Sequence, residues 1–123
     1  MASYVDIDIP DNLKTKILDF LKSVSDQHGK IKKGMNETTK SLERKKAKLA
    51  VIAEDVSPPE IVMHIPKVAE EQKIPYGFVE KKTELGNAIG IGVQCSAIAV
   101  TKVPGSLKKT LNSIVNDLAK LRS

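Results

Sequence analysis

The sequence is poor in side chains that stack and in side chains that form covalent cross-links. Two tyrosines, two phenylalanines and no tryptophan make up only 3% of the 123 residues. So few rings argue against recognition through many aromatic stacking platforms, the usual way of holding single-stranded nucleic acid. Cys95 is the only cysteine, which excludes an intrachain disulfide and a multi-cysteine zinc site.

Long apolar runs and catalytic sets are also absent. No run approaches the ~18 apolar residues of a membrane span, and residues 1–4 lack the features of a secretory signal. We therefore expect a cytoplasmic protein without a membrane partner, folded as a single domain over residues 1–123. The sequence has no Ser/His/Asp set, metal-ligand spacing or Walker motif. These absences give little support to catalysis, and we expect no metal and no cofactor.

Positive charge, by contrast, is concentrated in one segment. Residues 30–48 hold eight lysines and arginines against two glutamates, a net charge of +6, whereas the whole chain carries +5. Such a local cationic face is the usual footprint of a binding site for a polyanion.

Apolar residues alternate along the chain between helical spacing and short continuous runs. The run at 48–53 predicts a strand buried on both faces, Gly29 is expected to end the first helix, and Pro66 should kink or divide the third. Ser57 to Glu60 resembles a capping box that opens the third helix. The pattern predicts strands around residue 31 and at 48–53, 74–79 and 96–103, and helices at 11–29, 36–46, 57–69, 83–90 and 106–121. This alternation predicts an α/β layer architecture with sites beyond the strand ends.

The basic segment opens on a glycine and a polar helical face. Gly34 permits a positive φ and a close backbone approach, and Asn36 and Glu37 follow in the first helical turn. Lys40 and Arg44 can share their face, and such donors and acceptors suit base edges and phosphates. An alternative is that Asn36 caps the helix while the charged residues form a solvated ion-pair ladder.

The second glycine-rich segment, residues 86–93, precedes a strand and lacks the dinucleotide fingerprint. Its apolar residues Ile89, Ile91 and Val93 could cover a flipped base, or could belong to the core. Two other classes of function remain open. A nucleotide-binding enzyme would use residues 86–92 with Glu54 and Asp55, and a protein-interaction module would use the apolar C-terminal helix or the 61–69 face.

Three segments together resemble the archaeal seven-A-e family of ribosomal proteins, which bind kink-turns and are related to eukaryotic small nucleolar and ribosomal proteins. The segments are residues 32–40, residues 48–60 and residues 84–93, within a similarity that runs from about Tyr4 to Lys120. The resemblance implies a three-layer α/β/α sandwich around a small mixed sheet, and an RNA-binding protein that is not an enzyme.

The resemblance also implies partners. These are structured RNAs with kink-turns or kink-loops, namely ribosomal RNA of the large subunit, box C/D and H/ACA guide RNAs and ribonuclease P RNA, together with other ribonucleoprotein core proteins. A role in tRNA processing follows from the last of these, and the free protein is expected to be a monomer.

By motif match, Asn36, Glu37 and Lys40 would contact sheared guanines, Lys33 and Gly34 the RNA backbone, and the loop an extruded nucleotide. Arg44 and Lys82 would add phosphate or supporting contacts. The RNA-binding residues implied in this way are Lys33, Gly34, Asn36, Glu37, Lys40, Arg44, Lys82, Ile89, Ile91, Gly92 and Val93. The loop departs from the family's common Ile-Glu-Val-Pro, because Gly92 and Gln94 replace the carboxylate and the proline, which predicts a more flexible loop.

Overall fold

Five helices and four strands alternate along the computed structural model, which describes residues 4–122. The elements are α1 (Asp11–Asp26), β1 (Lys30–Lys33), α2 (Met35–Glu43), β2 (Leu49–Ala53), α3 (His64–Glu71), β3 (Tyr76–Val79), α4 (Lys82–Ala88), β4 (Ala97–Lys102) and α5 (Lys108–Arg122). Short 3-10 turns at Pro59–Ile61 and Gly105–Leu107 precede α3 and α5.

The four strands form one mixed sheet in the order β1-β4-β2-β3. Strands β1 and β2 run antiparallel to β4, and β2 runs parallel to β3. Lys33 pairs with Ile98 and Ala53 with Val79, so the segments that follow β1, β2 and β3 leave the sheet at the same end. We call this the Gly34 end; Lys30 and Lys102 pair at the opposite end.

Helices cover both faces of the sheet. Helix α1 contacts α4 and α5 on one face, whereas α2 contacts α3 and β4 on the other. All five residues of β2 are buried, as the continuous apolar run predicted. The predicted three-layer α/β/α sandwich with a mixed sheet is therefore confirmed.

Two helices end earlier than the sequence predicted. Helix α1 ends at Asp26, before Gly29, because His28 takes the left-handed conformation (φ 65°) and the Gly29 N–H returns to the Val24 carbonyl (2.9 Å). A Cβ at position 29 would lie 2.7 Å from the Lys102 carbonyl oxygen, so this glycine serves close packing. Helix α2 ends at Glu43 and not near residue 46, because Lys45 also adopts a positive φ.

The predicted capping box at Ser57 is wrong. The Ser57–Pro58 peptide bond is cis. The residues that follow form only a 3-10 turn, and Pro58, which precedes this turn, makes no side-chain cap. Helix α3 begins at His64. Pro66 therefore lies in the first turn of α3, where backbone N–H groups make no hydrogen bond within the helix, so the missing N–H of proline costs none. The predicted division of the helix falls before this proline.

Both ends of the described chain are fixed against the sheet. The Tyr4 hydroxyl donates to the Ala53 carbonyl at the end of β2 (2.6 Å). The Tyr76 hydroxyl donates to the Asp6 carboxylate, and the Arg122 guanidinium lies 3.9 Å from the centre of the Tyr76 ring. Burial, with the hydrogen bond to Asp6, raises the pKa of Tyr76 to about 12. Among residues 4–122, no helix is long and apolar enough to cross a membrane.

Candidate nucleic-acid interface

Gly34 is the point at which β1 turns into α2. Its φ of 91° and ψ of 159° lie in a region that essentially only glycine occupies. The Gly34 N–H donates to Ala97 O in β4 (2.9 Å), and the Gly34 carbonyl accepts from Thr38 N in α2 (3.0 Å). This residue therefore joins the edge strand to the helix without a linker and fixes where the first turn of α2 begins.

Helix α2 turns a polar face to solvent. Asn36, Glu37 and Lys40 are exposed, while the buried side consists of Thr38, Ser41 and Leu42. Lys40 Nζ lies 3.8 Å from Glu37 Oε1, with both side chains at least half exposed. Such a surface pair contributes roughly 0–1 kcal/mol, so both groups can exchange this contact for another partner at little cost.

A hydrogen-bonded bridge fixes the orientation of α2. Thr39 Oγ1 donates to the Met35 carbonyl (2.8 Å) and lies 2.8 Å from His64 Nε2 at the start of α3. Because the hydroxyl proton is used by Met35, the His64 ring N–H is the donor in the second contact. His64 is half-buried and therefore acts as a link between two helices rather than as a catalytic base.

A basic groove of about 690 Å³ runs beside α2. Eight cationic side chains line it against the single carboxylate of Glu37. Its lining residues are Lys30, Lys32, Glu37, Lys40, Ser41, Arg44, Lys45, Lys46, Lys48, Thr101 and Lys102. Such a concentration of one charge beside a polar helix face attracts polyanions.

The other side of β1 borders a smaller hollow, which we call the Ile31 hollow. Successive residues of a strand point to opposite faces, so Lys30 and Lys32 line the basic groove whereas Ile31 and Lys33 line this hollow. The Ile31 hollow has a volume of about 160 Å³ and is bounded by Ser25, Gly29, Ile31, Lys33, Ile89 and Ile91.

The loop between α4 and β4, residues 89–96, is held against α4 by Gly86. A Cβ on Gly86 would lie 2.8 Å from the Val93 carbonyl carbon and closer still to its oxygen. The Ile91 N–H donates to the Gly86 carbonyl (3.3 Å), and the Cys95 N–H donates to the Lys82 carbonyl (3.0 Å). Only a residue without a side chain fits beneath this loop.

The three apolar residues of the loop have different environments. Ile89 is 7% exposed and belongs to the hydrophobic core, as the alternative interpretation held. Ile91 is half-buried and lines the Ile31 hollow. Val93 is 64% exposed. Gly92, between Ile91 and Val93, adopts φ 71°, a conformation in which a residue with a side chain would be strained.

The acidic pair after β2 is occupied by structural contacts. Glu54 Oε2 pairs with Lys14 Nζ (2.9 Å), and Asp55 Oδ1 accepts from the Lys82 N–H at the start of α4 (2.8 Å). Burial alone would lower the pKa of Lys14, but the hydrogen bond to Glu54 and nearby carboxylates raise it. Asp55 thus caps the N-terminus of α4, and Glu54 is held by Lys14. Within residues 4–122 no group of His, Cys, Asp and Glu could hold a metal.

The structure brings only some of the predicted site residues together. Glu37, Lys40 and Arg44 lie in the basic groove, and Lys33, Ile89 and Ile91 lie in the Ile31 hollow. Asn36 and Lys82, which lie at the starts of α2 and α4, and the loop residues Gly92 and Val93 line neither. Sequence reasoning missed Thr101 and Lys102, because the strand pairing that brings β4 to the groove leaves no signal in the sequence. It also did not single out Ser41, a groove residue on α2.

These features describe a small α/β/α protein with an exposed polar helix face beside a cationic groove. The chain matches the model of the Ribosomal protein L7Ae/L30e/S12e/Gadd45 family over residues 16–110, and it belongs to that family. The solved structure of the Giardia lamblia 15.5kD RNA binding protein is similar to it, with 30% sequence identity and a TM-score of 0.91. The match covers 98% of this chain and 99% of that one. The chain is a member of a ribosomal-protein family and not an enzyme.

Proposed function

We propose that this protein binds structured RNA and recognises kink-turns and kink-loops through the exposed face of α2. The observation that carries the proposal is the exposure of Asn36, Glu37 and Lys40 on the polar face of α2, where Glu37 and Lys40 also line the basic groove. The family and the RNA-binding relative support the same class of ligand.

The chemistry of the α2 face suits purine edges. Asn36 offers a donor and an acceptor together, Glu37 accepts from amino or ring N–H groups, and Lys40 donates. A site for phosphate alone would gain nothing from the carboxylate of Glu37. Because A-form RNA hides its major groove, sequence-specific contacts need distorted or unpaired elements, and tandem sheared G·A pairs in a kink-turn provide them.

The other site residues take supporting roles in this proposal. Lys33 and Gly34 meet the RNA backbone at the start of α2, and Arg44 and Lys82 contact phosphates. The Ile31 hollow, which Ile91 lines, and the exposed Val93 of the same loop cover the extruded nucleotide. Ile89 supports that hollow from the core.

We further propose that the whole chain acts as one kink-turn-binding domain in the cytoplasm, as a monomer when free. Its complexes would be the large ribosomal subunit, box C/D and H/ACA guide particles and ribonuclease P, each with other core proteins. By holding the bent RNA better than the extended one, the protein would shift the RNA population toward the kinked form.

A binding titration at fixed salt against two RNAs of equal length tests the proposal. One RNA carries a kink-turn with tandem sheared G·A pairs, and in the other these are replaced by Watson–Crick pairs. We expect a strong preference for the first RNA. Equal and steeply salt-dependent binding would mean that the groove is only an electrostatic surface, and no binding to either RNA would refute the proposal.

Single-molecule energy transfer on a labelled kink-turn tests the bending. The fraction of bent RNA should rise with protein concentration in the titration range where binding occurs. Binding without a rise in the bent fraction would contradict the population shift.

A further inference from the structure

Helix α2 ends in a conformation that glycine usually provides. Lys45 has φ 56°, its N–H donates to the Leu42 carbonyl (3.0 Å), and the Lys46 N–H donates to the Ser41 carbonyl (2.9 Å). This is the hydrogen-bond pattern of a helix C-terminus that closes on a left-handed residue. A side chain at that position is strained relative to glycine, so the lysine requires an explanation.

The same pattern occurs at the end of α3. Lys73 has φ 59°, its N–H donates to the Glu70 carbonyl (3.1 Å), and the Ile74 N–H donates to the Ala69 carbonyl (2.9 Å). Lys73 borders a different hollow, formed with β3 and α5. The two lysines share one backbone geometry and differ in what surrounds them, which makes Lys73 a matched control for Lys45.

The surroundings of Lys45 are cationic. It lines the basic groove. The half of the groove far from Gly34, the far half, also contains Lys46 and Lys48. Lys30 and Lys102, which pair at the end of the sheet opposite Gly34, border this half. The only lining carboxylate, Glu37, lies near the start of α2. Across residues 4–122, no ion pair joins Lys45, Lys46 or Lys48 to a carboxylate. These three exposed cations are thus open to contact with an anionic ligand.

The groove is long enough for several phosphates. The nine residues of α2 extend about 14 Å at 1.5 Å per residue, from the Gly34 end of the sheet toward Lys45. In a duplex each strand carries one phosphate about every 3.4 Å along the axis, by the value for DNA, so roughly four phosphates of one strand fit along this distance.

We propose that the far half of the basic groove, with Lys45, Lys46 and Lys48, holds the phosphate backbone of a duplex arm that continues from the kinked element bound at the start of α2. The lysine at this left-handed position supplies a cation that glycine could not. The proposal rests on the proposed function and adds an arm-binding surface to it. It predicts that affinity depends on arm length as well as on the sheared pairs.

The test uses the same kink-turn with short arms and with each arm in turn lengthened by about four base pairs. Lys45→Gly should weaken binding to only one of the long-armed RNAs. For that RNA it should also make the slope of log affinity against log salt concentration less steep by about 1. When the salt concentration rises about fourfold, the affinity of each protein for that RNA should fall. The factor for wild-type protein should be about 3.5 times the factor for the variant. Lys73→Gly should leave all affinities unchanged, and each variant should melt roughly 2–8 °C above wild type.

The possible failures are distinguishable. If wild-type protein does not prefer the kink-turn over its Watson–Crick counterpart, the proposed function itself fails. If that preference holds but Lys45→Gly binds every arm length like wild type, only the arm-binding surface is refuted. The arm-binding surface would also be refuted if Lys45→Gly lost equal affinity for short-armed and long-armed RNA, or if Lys73→Gly lost as much affinity as Lys45→Gly. A Lys45→Gly variant that melts below wild type would refute the strain at this position.

Discussion

The two sides of the candidate interface, the start of α2 and the loop at 89–96, each depend on a glycine, but for opposite reasons. Gly34 has open space around its missing side chain and a backbone conformation (φ 91°) that other residues avoid. Gly86 lies within α4, and its missing side chain leaves the space that the Val93 carbonyl fills. The helix side is thus set by backbone geometry, and the loop side by close packing.

The two sides also differ in what they offer a ligand. The α2 face presents hydrogen-bonding groups on a regular helix that is linked to α3 through Thr39 and His64. The loop presents one exposed apolar residue, Val93, on a segment with two glycines of positive φ, Gly90 and Gly92. We infer that specificity resides on the helix, while the loop adds cover and some affinity. Substitutions can test this division separately on each side.

The largest expected effect is from Gly86→Ala. The new methyl group would overlap the Val93 carbonyl, which must then move with its loop. We expect a loss of about 3 kcal/mol in the free energy of unfolding, because overpacking of a rigid contact is costly. Thermal or denaturant unfolding measures it. Gly105→Ala is the matched control, since a Cβ there meets nothing within 4 Å, and a loss as large in the control would contradict the account.

Gly34→Ala should have the next largest effect. An alanine at φ 91° is strained by about 2 kcal/mol, and the strain is relieved by moving the first turn of α2. We therefore expect a lower stability together with a smaller preference for the sheared-pair RNA, measured by unfolding and by paired titrations. A variant that is destabilised but keeps its full preference would show that the start of α2 does not position the recognition groups.

Val93→Ala should have the smallest effect. Because the side chain is 64% exposed, its removal should leave the free energy of unfolding within about 0.5 kcal/mol of wild type. Affinity for kink-turn RNA should fall by about 1 kcal/mol if the side chain is buried against a nucleotide. Leu121→Ala, at an exposed position in α5, is the control. Unchanged affinity in Val93→Ala would remove this residue from the interface.

The parts of the fold that were predictable have strong local patterns. The continuous apolar run of β2 and the helical stripe of α1 each bury a full set of side chains, so hydrophobic spacing alone indicated them. The start of α3 was not predictable in this way. Ser57 and Glu60 have the spacing of a capping box, but two consecutive prolines, Pro58 and Pro59, lead instead into a 3-10 turn.

The candidate site shows the same limit. The polar face of α2 follows from helical spacing after Gly34, and the structure exposes it as expected. Lys102 joins the basic groove only through its pairing with Lys30, a contact between residues far apart in the chain. Likewise, the equal apolar character of Ile89 and Val93 gave no means of assigning one to the core and the other to solvent.

The most direct test of the central claim compares Glu37→Ala with Glu43→Ala in the paired titration. Both glutamates are exposed on α2 and their removal changes the net charge equally, but only Glu37 lines the groove. At matched salt, Glu37→Ala should lose about 1–3 kcal/mol of preference for sheared G·A pairs over Watson–Crick pairs, while Glu43→Ala keeps it. Equal preferences in the two variants would contradict recognition through the α2 face.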